Sequence, residues 1–329
     1  MKFAPLVRLA GPFGLYSLGR QLSRSHPRIL MYHRFSEQPQ ARSVSRAQFE
    51  RQVEHIARHY NPMTMGQLLD RWRSGGRVEP NAVVITVDDG HADFLDIAWP
   101  VLRRYHVPAT LFVATGFIDG ELWLWPDQLR WLLESANPLP KSLTVGDFTM
   151  PVEGGEQAWV DLVDWLLSLP DRDKRAAIQE LSSTLAVPLP TQPPPEYASV
   201  TWDQLRAMER EGLEVGGHTH THPSLARVPV NRLPDETARC LARLTSELGP
   251  APRPFCYPNG QPSDVTDDTR AAVEAAGFTG AVVAYADGTS HDDLYYLRRH
   301  GGSGEWDHFL KVVSGVEWLG WRMRGKRVT

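Results

Sequence analysis

The feature that most constrains this chain is a continuous apolar run, Asn81-Ala82-Val83-Val84-Ile85-Thr86-Val87, that stops abruptly at Asp88-Asp89-Gly90. A strand without polar alternation is buried on both faces, and such strands belong to parallel sheets covered by helices. The surrounding sequence supplies the helical crossovers that parallel strands require. Arg28 to His33 reads as a short buried strand ending in a polar residue, and residues 46–60 carry Phe49, Val53, Ile56 and Ala57 at helical spacing. Beyond Gly90 the pattern predicts a helix from Phe94 to Tyr105 and a strand from Ala109 to Val113. It resumes with helix 202–211, strand Leu213 to Gly216, helix 231–248, strand Pro254 to Tyr257, helix 267–276 and strand Ala281 to Val283. Alternating strands and helices predict a parallel sheet or barrel. Residues 119–200 break the rhythm. They hold Trp123, Trp125, a hairpin pattern at 142–152, a Trp/Leu helix at 157–168, a charged helix at 171–185 and a Pro-rich exit, and read as an insertion forming a lid or side wall.

Length and composition narrow the class. The 329 residues fit two domains or one α/β barrel. Hydrophobic residues at 42% and charged residues at 22% argue for a globular chain over a disordered one. With 35 basic and 39 acidic side chains the net charge is −4, which argues against a dedicated nucleic-acid binder. Two cysteines, Cys240 and Cys256, cannot build a disulfide scaffold or a Cys-rich zinc module. No run of about 18 apolar residues predicts a membrane-spanning helix. Eleven Trp suit either a sugar-binding surface or the core.

The two ends are basic. Residues 1–28 carry Lys2, Arg8, Arg20, Arg24 and Arg28 without an acid, and Arg8, Gly11 and Pro12 interrupt the uninterrupted apolar core that a secretory signal needs. Trp318 to Arg327 holds two Trp with Arg322, Arg324, Lys326 and Arg327. Such ends are either solvated or laid on an anionic membrane surface. The expected organisation is a basic segment 1–27, a catalytic domain 28–315 containing the insertion, and a basic tail 316–329, in a protein that is cytoplasmic or peripheral to the inner membrane.

Three polar clusters each follow a predicted strand, where α/β barrels gather functional groups. Asp88 and Asp89 repel each other unless a cation or shared proton relieves them. Gly217-His218-Thr219-His220-Thr221-His222-Pro223 offers imidazoles that converge on a metal, as His218/His222 if the segment turns or His218/His220 if it is extended. One carboxylate and two imidazoles make a three-ligand site with an open position, the mark of a catalytic metal. With Asp89 as ligand, Asp88 is free to accept a proton from water. In Phe255-Cys256-Tyr257-Pro258-Asn259-Gly260, a Pro-x-Gly turn can aim a backbone N–H into the site as an oxyanion donor.

Thr86-Val87-Asp88-Asp89-Gly90 followed by His218-Thr219-x-x-His222-Pro223 closely resembles the polysaccharide deacetylases, carbohydrate esterase family 4, over roughly 28–118 and 201–315. The resemblance implies a distorted (β/α) barrel, here with a large insertion, and metal-dependent hydrolysis of N-acetyl groups on amino sugars in surface polysaccharide biosynthesis. It makes Asp88 the general base, and Asp89, His218 and His222 the ligands of a divalent ion: Zn²⁺, with Co²⁺, Ni²⁺ or Fe²⁺ also suited. His220 falls at a variable position. Two departures stand out. The family's Arg-Pro-Pro-Tyr-Gly turn has Cys256 where the Arg belongs; Asn259 would then give the oxyanion N–H, and Arg299 is the candidate to brace the base from a different strand, Arg253 lying three residues too early. No late Leu-x-His motif supplies an acid. His291 and His300 qualify by residue type alone, whereas Met31-Tyr32-His33 matches an early Tyr-His of exopolysaccharide-processing relatives and gives His33 the role. Trp123 and Trp125 are candidates to stack on sugar rings. The substrate expected is an N-acetylated carbohydrate. Rival readings are a metal-dependent amide hydrolase for a small or lipid-linked substrate, a His-x-His amidohydrolase, and a non-catalytic carbohydrate-binding barrel.

Overall fold

The computed structural model describes residues 14–152, 154–288 and 292–325. Lys2, Arg8, His291, Lys326 and Arg327 lie outside the described residues. The main sheet is parallel throughout. Its strands are β1 (Arg28–Tyr32), β2 (Asn61–Met63), β3 (Ala82–Val87), β4 (Thr110–Val113), β5 (Glu214–Gly217), β6 (Phe255–Cys256), β7 (Ala281–Val282) and β8 (His300–Gly301); seven run in the order β7-β6-β5-β4-β3-β1-β8, and β2 pairs with β3 off this path. Every residue of β3 is buried, as its unbroken apolar run requires. It pairs with β1 from Arg28↔Val83 to Tyr32↔Val87, with β2 at its start and with β4 at its end.

The sheet curls into a distorted barrel. Leu297 bridges to Val282 of β7, and three residues later His300 pairs with Leu30 of β1. The short segment Leu297–Gly301 therefore stitches one edge of the sheet to the other and carries Arg299 between them. A large core of Leu, Val, Ile and Phe side chains lies between the sheet and its helices. Helix starts are marked by Ser/Thr caps with Gln three residues on, at Ser45/Gln48, Thr64/Gln67 and Thr201/Gln204. The expected helix Phe94 to Tyr105 is a π-turn, Phe94–Ala98, followed by an α-helix, Trp99–Arg104. Pro100 sits in its first turn, where a missing N–H is tolerated.

The insertion has its own core. Leu129, Leu132 and Leu133 of helix Trp125–Ser135 pack with Leu143, Val145 and Met150 of an antiparallel hairpin and with Leu162, Leu166, Ile178 and Leu181 of two further helices, Gly155–Ser168 and Asp171–Leu185. Its flanks seat on the barrel through Trp123, Leu124 and Tyr197, which pack with Ala114 and Phe117. The described parts of both chain ends are helical and pack against the same body. Helix Leu15–Leu22 meets helix Val316–Met323, and Ser23 Oγ donates to the Ser314 carbonyl at 3.1 Å. Arg28 is fully buried there, its guanidinium bonded to Ser23 and to the His26 carbonyl, and burial lowers its pKa to about 10.

Candidate metal centre

The strands β3, β5 and β6 end at one mouth of the barrel, and the backbone there turns sharply. Asp89 (φ 79°), Thr219 (65°), His222 (60°) and Asn259 (59°) occupy the left-handed region that side-chain-bearing residues avoid. Half of the described non-glycine residues in that region lie at this mouth, a concentration of strain typical of functional sites.

A turn selects which imidazoles converge. The Thr219 hydroxyl accepts from the His222 N–H at 2.9 Å, and Glu236 accepts from the N–H groups of His220 and Thr221 at 3.1 and 2.8 Å. The segment folds back on itself, placing His222 Nε2 3.2 Å from His218 Nε2. Asp89 Oδ1 completes a triangle at 3.4 Å from His218 and 3.3 Å from His222. His218 Nδ1 donates to the Cys256 carbonyl at 2.8 Å, which leaves Nε2 as the nitrogen that faces Asp89 and His222. His220 faces elsewhere, between Thr115 (2.9 Å) and Glu121 (3.1 Å).

The donor set fits a divalent ion. Nitrogen and oxygen ligands bound to tetrahedral Zn²⁺ at roughly 2.0–2.2 Å stand about 3.3 Å apart, which the 3.2–3.4 Å triangle matches. Burial pushes the pKa of His222 down, which favours the neutral, ligating imidazole. Burial alone would raise that of Asp89, but hydrogen bonds from His218 and His222 hold it well below the usual carboxylate value. A second group, Asp88, His218 and Cys256, also lies close together. It is the poorer set, because burial pushes the Cys256 thiol up and Arg299 already occupies Asp88.

Asp88 is a buried carboxylate held by a fork. Arg299 Nη1 donates to Oδ1 and Nη2 to Oδ2, both at 2.7 Å. The guanidinium is itself fully buried and fixed by the Thr86 hydroxyl (2.9 Å) and the Val283 carbonyl (2.9 Å). Cys256 Sγ lies 3.4 Å from Asp88 Oδ2. Burial raises the Asp88 pKa and the Arg299 charge more than offsets it, so the carboxyl sits below its ordinary value. Arg253 does not reach the site: it is buried against Glu209 and the Val215 carbonyl, both at 2.8 Å.

His33 is half-exposed at the same mouth, with Nε2 3.6 Å from Asp88 Oδ2. His300 points away, 3.3 Å from Glu317 and stacked on Trp321. Asn259 lines the cavity above the centre, and its side-chain amide donates to Asp264. This cavity of about 450 Å³ is lined by Asp88, Asp89, His218 and His222 and by insertion residues that include Trp125, Trp159, Val160, Val163 and Leu167 as well as the charged Asp127, Arg130 and Asp164. Trp123 instead belongs to the core of the insertion's flank.

Three further residues stand at the mouth that are not among the sequence candidates. His91, two residues after Asp89, is buried with Nε2 2.7 Å from Asp127 and Nδ1 3.8 Å from Asp89. Arg34 binds Asp93 at 2.6 Å and approaches Asp127 at 3.5 Å. The adjacency of His91 to the Asp pair is the one clue; Asp127 lies in the insertion, 36 positions on.

Fold and site together define a class: a parallel α/β barrel whose strand ends gather two carboxylates, two imidazoles and a buried guanidinium. The chain belongs to the polysaccharide deacetylase family, whose model matches residues 75–139 and 181–281, half of the sequence. Among named relatives, the poly-beta-1,6-N-acetyl-D-glucosamine N-deacetylase of Staphylococcus aureus (strain MSSA476) is 32% identical over 80 residues, 24% of this chain and 27% of that protein. The corresponding protein of Staphylococcus epidermidis is 30% identical over 78 residues, 24% and 27% of the two chains. The match thus spans about a quarter of the length of these relatives. Two solved structures share the fold. The Streptococcus pyogenes deacetylase PplD, in complex with acetate, has a TM-score of 0.59 and 17% identity, covering 88% of this chain and 98% of that one. IcaB from Ammonifex degensii has a TM-score of 0.59 and 18% identity, covering 89% and 97%. The family model passes over residues 140–180, the part of the insertion that carries Trp159, Val160, Val163 and Leu167.

Proposed function

We propose that the protein is a metal-dependent hydrolase that removes N-acetyl groups from the amino sugars of a polysaccharide or its precursor. The observation that carries this reading is the juxtaposition of the Asp89–His218–His222 triangle with a separate carboxylate, Asp88, that Arg299 keeps ionised. A binding site would have no use for a base beside a metal ligand.

Asp89, His218 and His222 would hold the ion, with Zn²⁺ the choice that suits two imidazoles and one carboxylate. When bound, it supplies a Lewis acid that polarises the acetamide carbonyl and makes water more acidic. Asp88 takes a proton from the attacking water, whose oxygen bonds to the carbonyl carbon. The Asn259 N–H stabilises the oxyanion of the tetrahedral species. His33, on the exposed rim, protonates the leaving nitrogen as the C–N bond breaks. Acetate and a free amino sugar result, and the atoms balance as amide plus water. Arg299 orients the base and stays protonated throughout.

A second reading shares the chemistry and changes the substrate. The aliphatic and indole wall built by Trp159, Val160, Val163 and Leu167 faces the centre, which favours an amide on a small or lipid-linked sugar over a bare polymer. Both cysteines are free and buried, which supports a cytoplasmic setting; cell fractionation checks it.

The test is acetate release by metal-loaded protein from chitooligosaccharides, poly-N-acetylglucosamine, peptidoglycan fragments and a lipid-linked acetamido sugar. Release from one class, lost in Asp89→Ala, is the expected result. No release from any of them by protein with metal bound would overturn the reading.

A further inference from the structure

The two chain ends, far apart in sequence, form one surface. Helix Leu15–Leu22 and helix Val316–Met323 pack side by side, with Gly19 against Val316 and the His26 ring stacked on Trp318 at 4.0 Å. Both abut the loop Ser23–Pro27 that leads into β1, at the strand end opposite His33.

What this surface exposes is unusual for the molecule. Four large hydrophobic residues among those described are strongly exposed, and three of them are here: Leu18 (55%), Leu22 (64%) and Met323 (87%). The fourth, Val230, lies on a separate turn. Soluble proteins rarely cluster apolar side chains on the surface without an interaction partner. The charged residues around the patch are cationic. Arg24, Arg322 and Arg324 are exposed, Arg20 is half-exposed with its guanidinium over Tyr60, and Arg28 is turned inward and does not count. From Gly14 to Arg28 and from Trp318 to Gly325 there is no acid. Glu317, the nearest one, is turned onto His300, and Asp307 lies towards Tyr16. A cleft of about 420 Å³ between the helices, lined by Leu22, Trp72, Trp318, Leu319 and Arg322, adds indole rings and an arginine to the same face. The chain as a whole is acidic, at −4, so this positive charge is concentrated.

Exposed leucine and methionine rimmed by arginine, beside an indole-lined cleft, is the chemistry of an interfacial amphipathic surface. We propose that the packed terminal helices are a membrane-docking surface that seats the protein on an anionic bilayer, with the catalytic cleft facing away from the lipid. Anionic headgroups meet the arginines, while Leu18, Leu22 and Met323 enter the acyl boundary. A second copy of the chain would be a poorer occupant, because identical arginine-rimmed patches repel.

The experiment uses the full chain and vesicles of phosphatidylcholine with about a quarter phosphatidylglycerol, against phosphatidylcholine alone. Wild type should pellet with the anionic vesicles, at least tenfold more weakly at high salt and at least tenfold more weakly as Leu18→Glu/Leu22→Glu/Met323→Glu. The single variant Arg322→Glu should show an intermediate loss. Circular dichroism and acetate release in solution should not change, since none of these residues touches the site. Wild type that stays in the supernatant overturns the proposal. So does a triple variant that pellets like wild type, which would move binding to residues 1–13. A wild-type dimer by light scattering that the triple variant turns into a monomer also overturns it, by making the face a self-interface.

Discussion

Arg299 is the residue whose removal the structure weighs most directly. Its guanidinium has no exposed surface and makes two 2.7 Å charge-assisted bonds to Asp88, itself only 2% exposed. Arg299→Ala deletes the cation and leaves a buried carboxylate without its partner, a change that ordinarily destabilises by about 3–5 kcal/mol. Alternatively the carboxyl takes up a proton and the penalty appears in catalysis. Either way the Asp88 pKa, now held below 3.8, must move upward, because burial is then the dominant influence. The acid limb of kcat/KM should shift to higher pH, and the melting temperature should fall by about 4–7 °C. Arg299→Lys restores the charge without the fork and should recover part of both effects. Metal content should hold in both variants, since no hydrogen bond of Arg299 reaches Asp89, His218 or His222. Thermal melts, metal analysis and pH profiles of acetate release read the three quantities. Melting points within a degree or two of wild type, with superimposable pH profiles, would refute the argument that Arg299 sets the ionisation of Asp88.

Asp88→Asn should lose roughly 10²–10⁴-fold in kcat while keeping its metal; near-normal turnover would remove Asp88 from the role of base. The same carboxyl makes stability pH-dependent. Its folded pKa lies below the unfolded 3.8, so its contribution is present above that value and is lost as pH falls through the folded one. Urea midpoints of the metal-stripped protein should therefore show wild type well above Asp88→Asn at about pH 6, with the gap narrowing at about pH 3. His222→Ala should abolish metal binding, whereas His220→Ala should keep the metal and lose roughly 1–3 kcal/mol of stability through the orphaned Thr115 and Glu121 contacts. Leu167→Ala should raise KM with little change in kcat if the insertion wall contacts substrate, and an unchanged KM would assign that wall to packing alone.

The parts of the site that the sequence showed plainly are those that local physics dictates. A strand buried on both faces must be apolar throughout, so Ala82–Val87 and the Asp pair at its end stood out. His218 is equally visible, whereas His222 is singled out by the motif resemblance and not by spacing. The choice between His220 and His222 rests on the Thr219 hydroxyl and on Glu236, fourteen positions beyond His222, and spacing alone cannot register such a turn. His91 and Asp127 were missed because their pairing is purely tertiary. Strands of two or three residues, such as Asn61–Met63 and His300–Gly301, are too short to carry a period. The helix Met65–Arg73 is signalled in the sequence by the Thr64/Gln67 pair at its start, a local cue that no long apolar period accompanies. The basic ends are legible as charge, yet only the structure shows that the helices bearing the exposed Leu18, Leu22 and Met323 pack together.

The relocation of the guanidinium shows what the barrel mouth requires. Cys256 occupies the place where the family turn carries arginine, and its Sγ lies 3.0 Å from the Arg299 guanidinium and 3.4 Å from Asp88. The thiol fills the volume beside Asp88 while the charge arrives from another direction. That direction is the segment Leu297–Gly301, which pairs with β7 at one end and β1 at the other. The Arg299–Asp88 ion pair therefore lies inside the stitch that closes the barrel, and loosening either one loosens the other. A cation returned to position 256 would crowd a second buried charge against Arg299 with one carboxylate to share. Cys256→Arg alone should then be more destabilising than the paired exchange Cys256→Arg/Arg299→Ala, a non-additivity that a double-mutant cycle of urea midpoints measures. Strict additivity would mean that the two positions do not serve the same carboxylate.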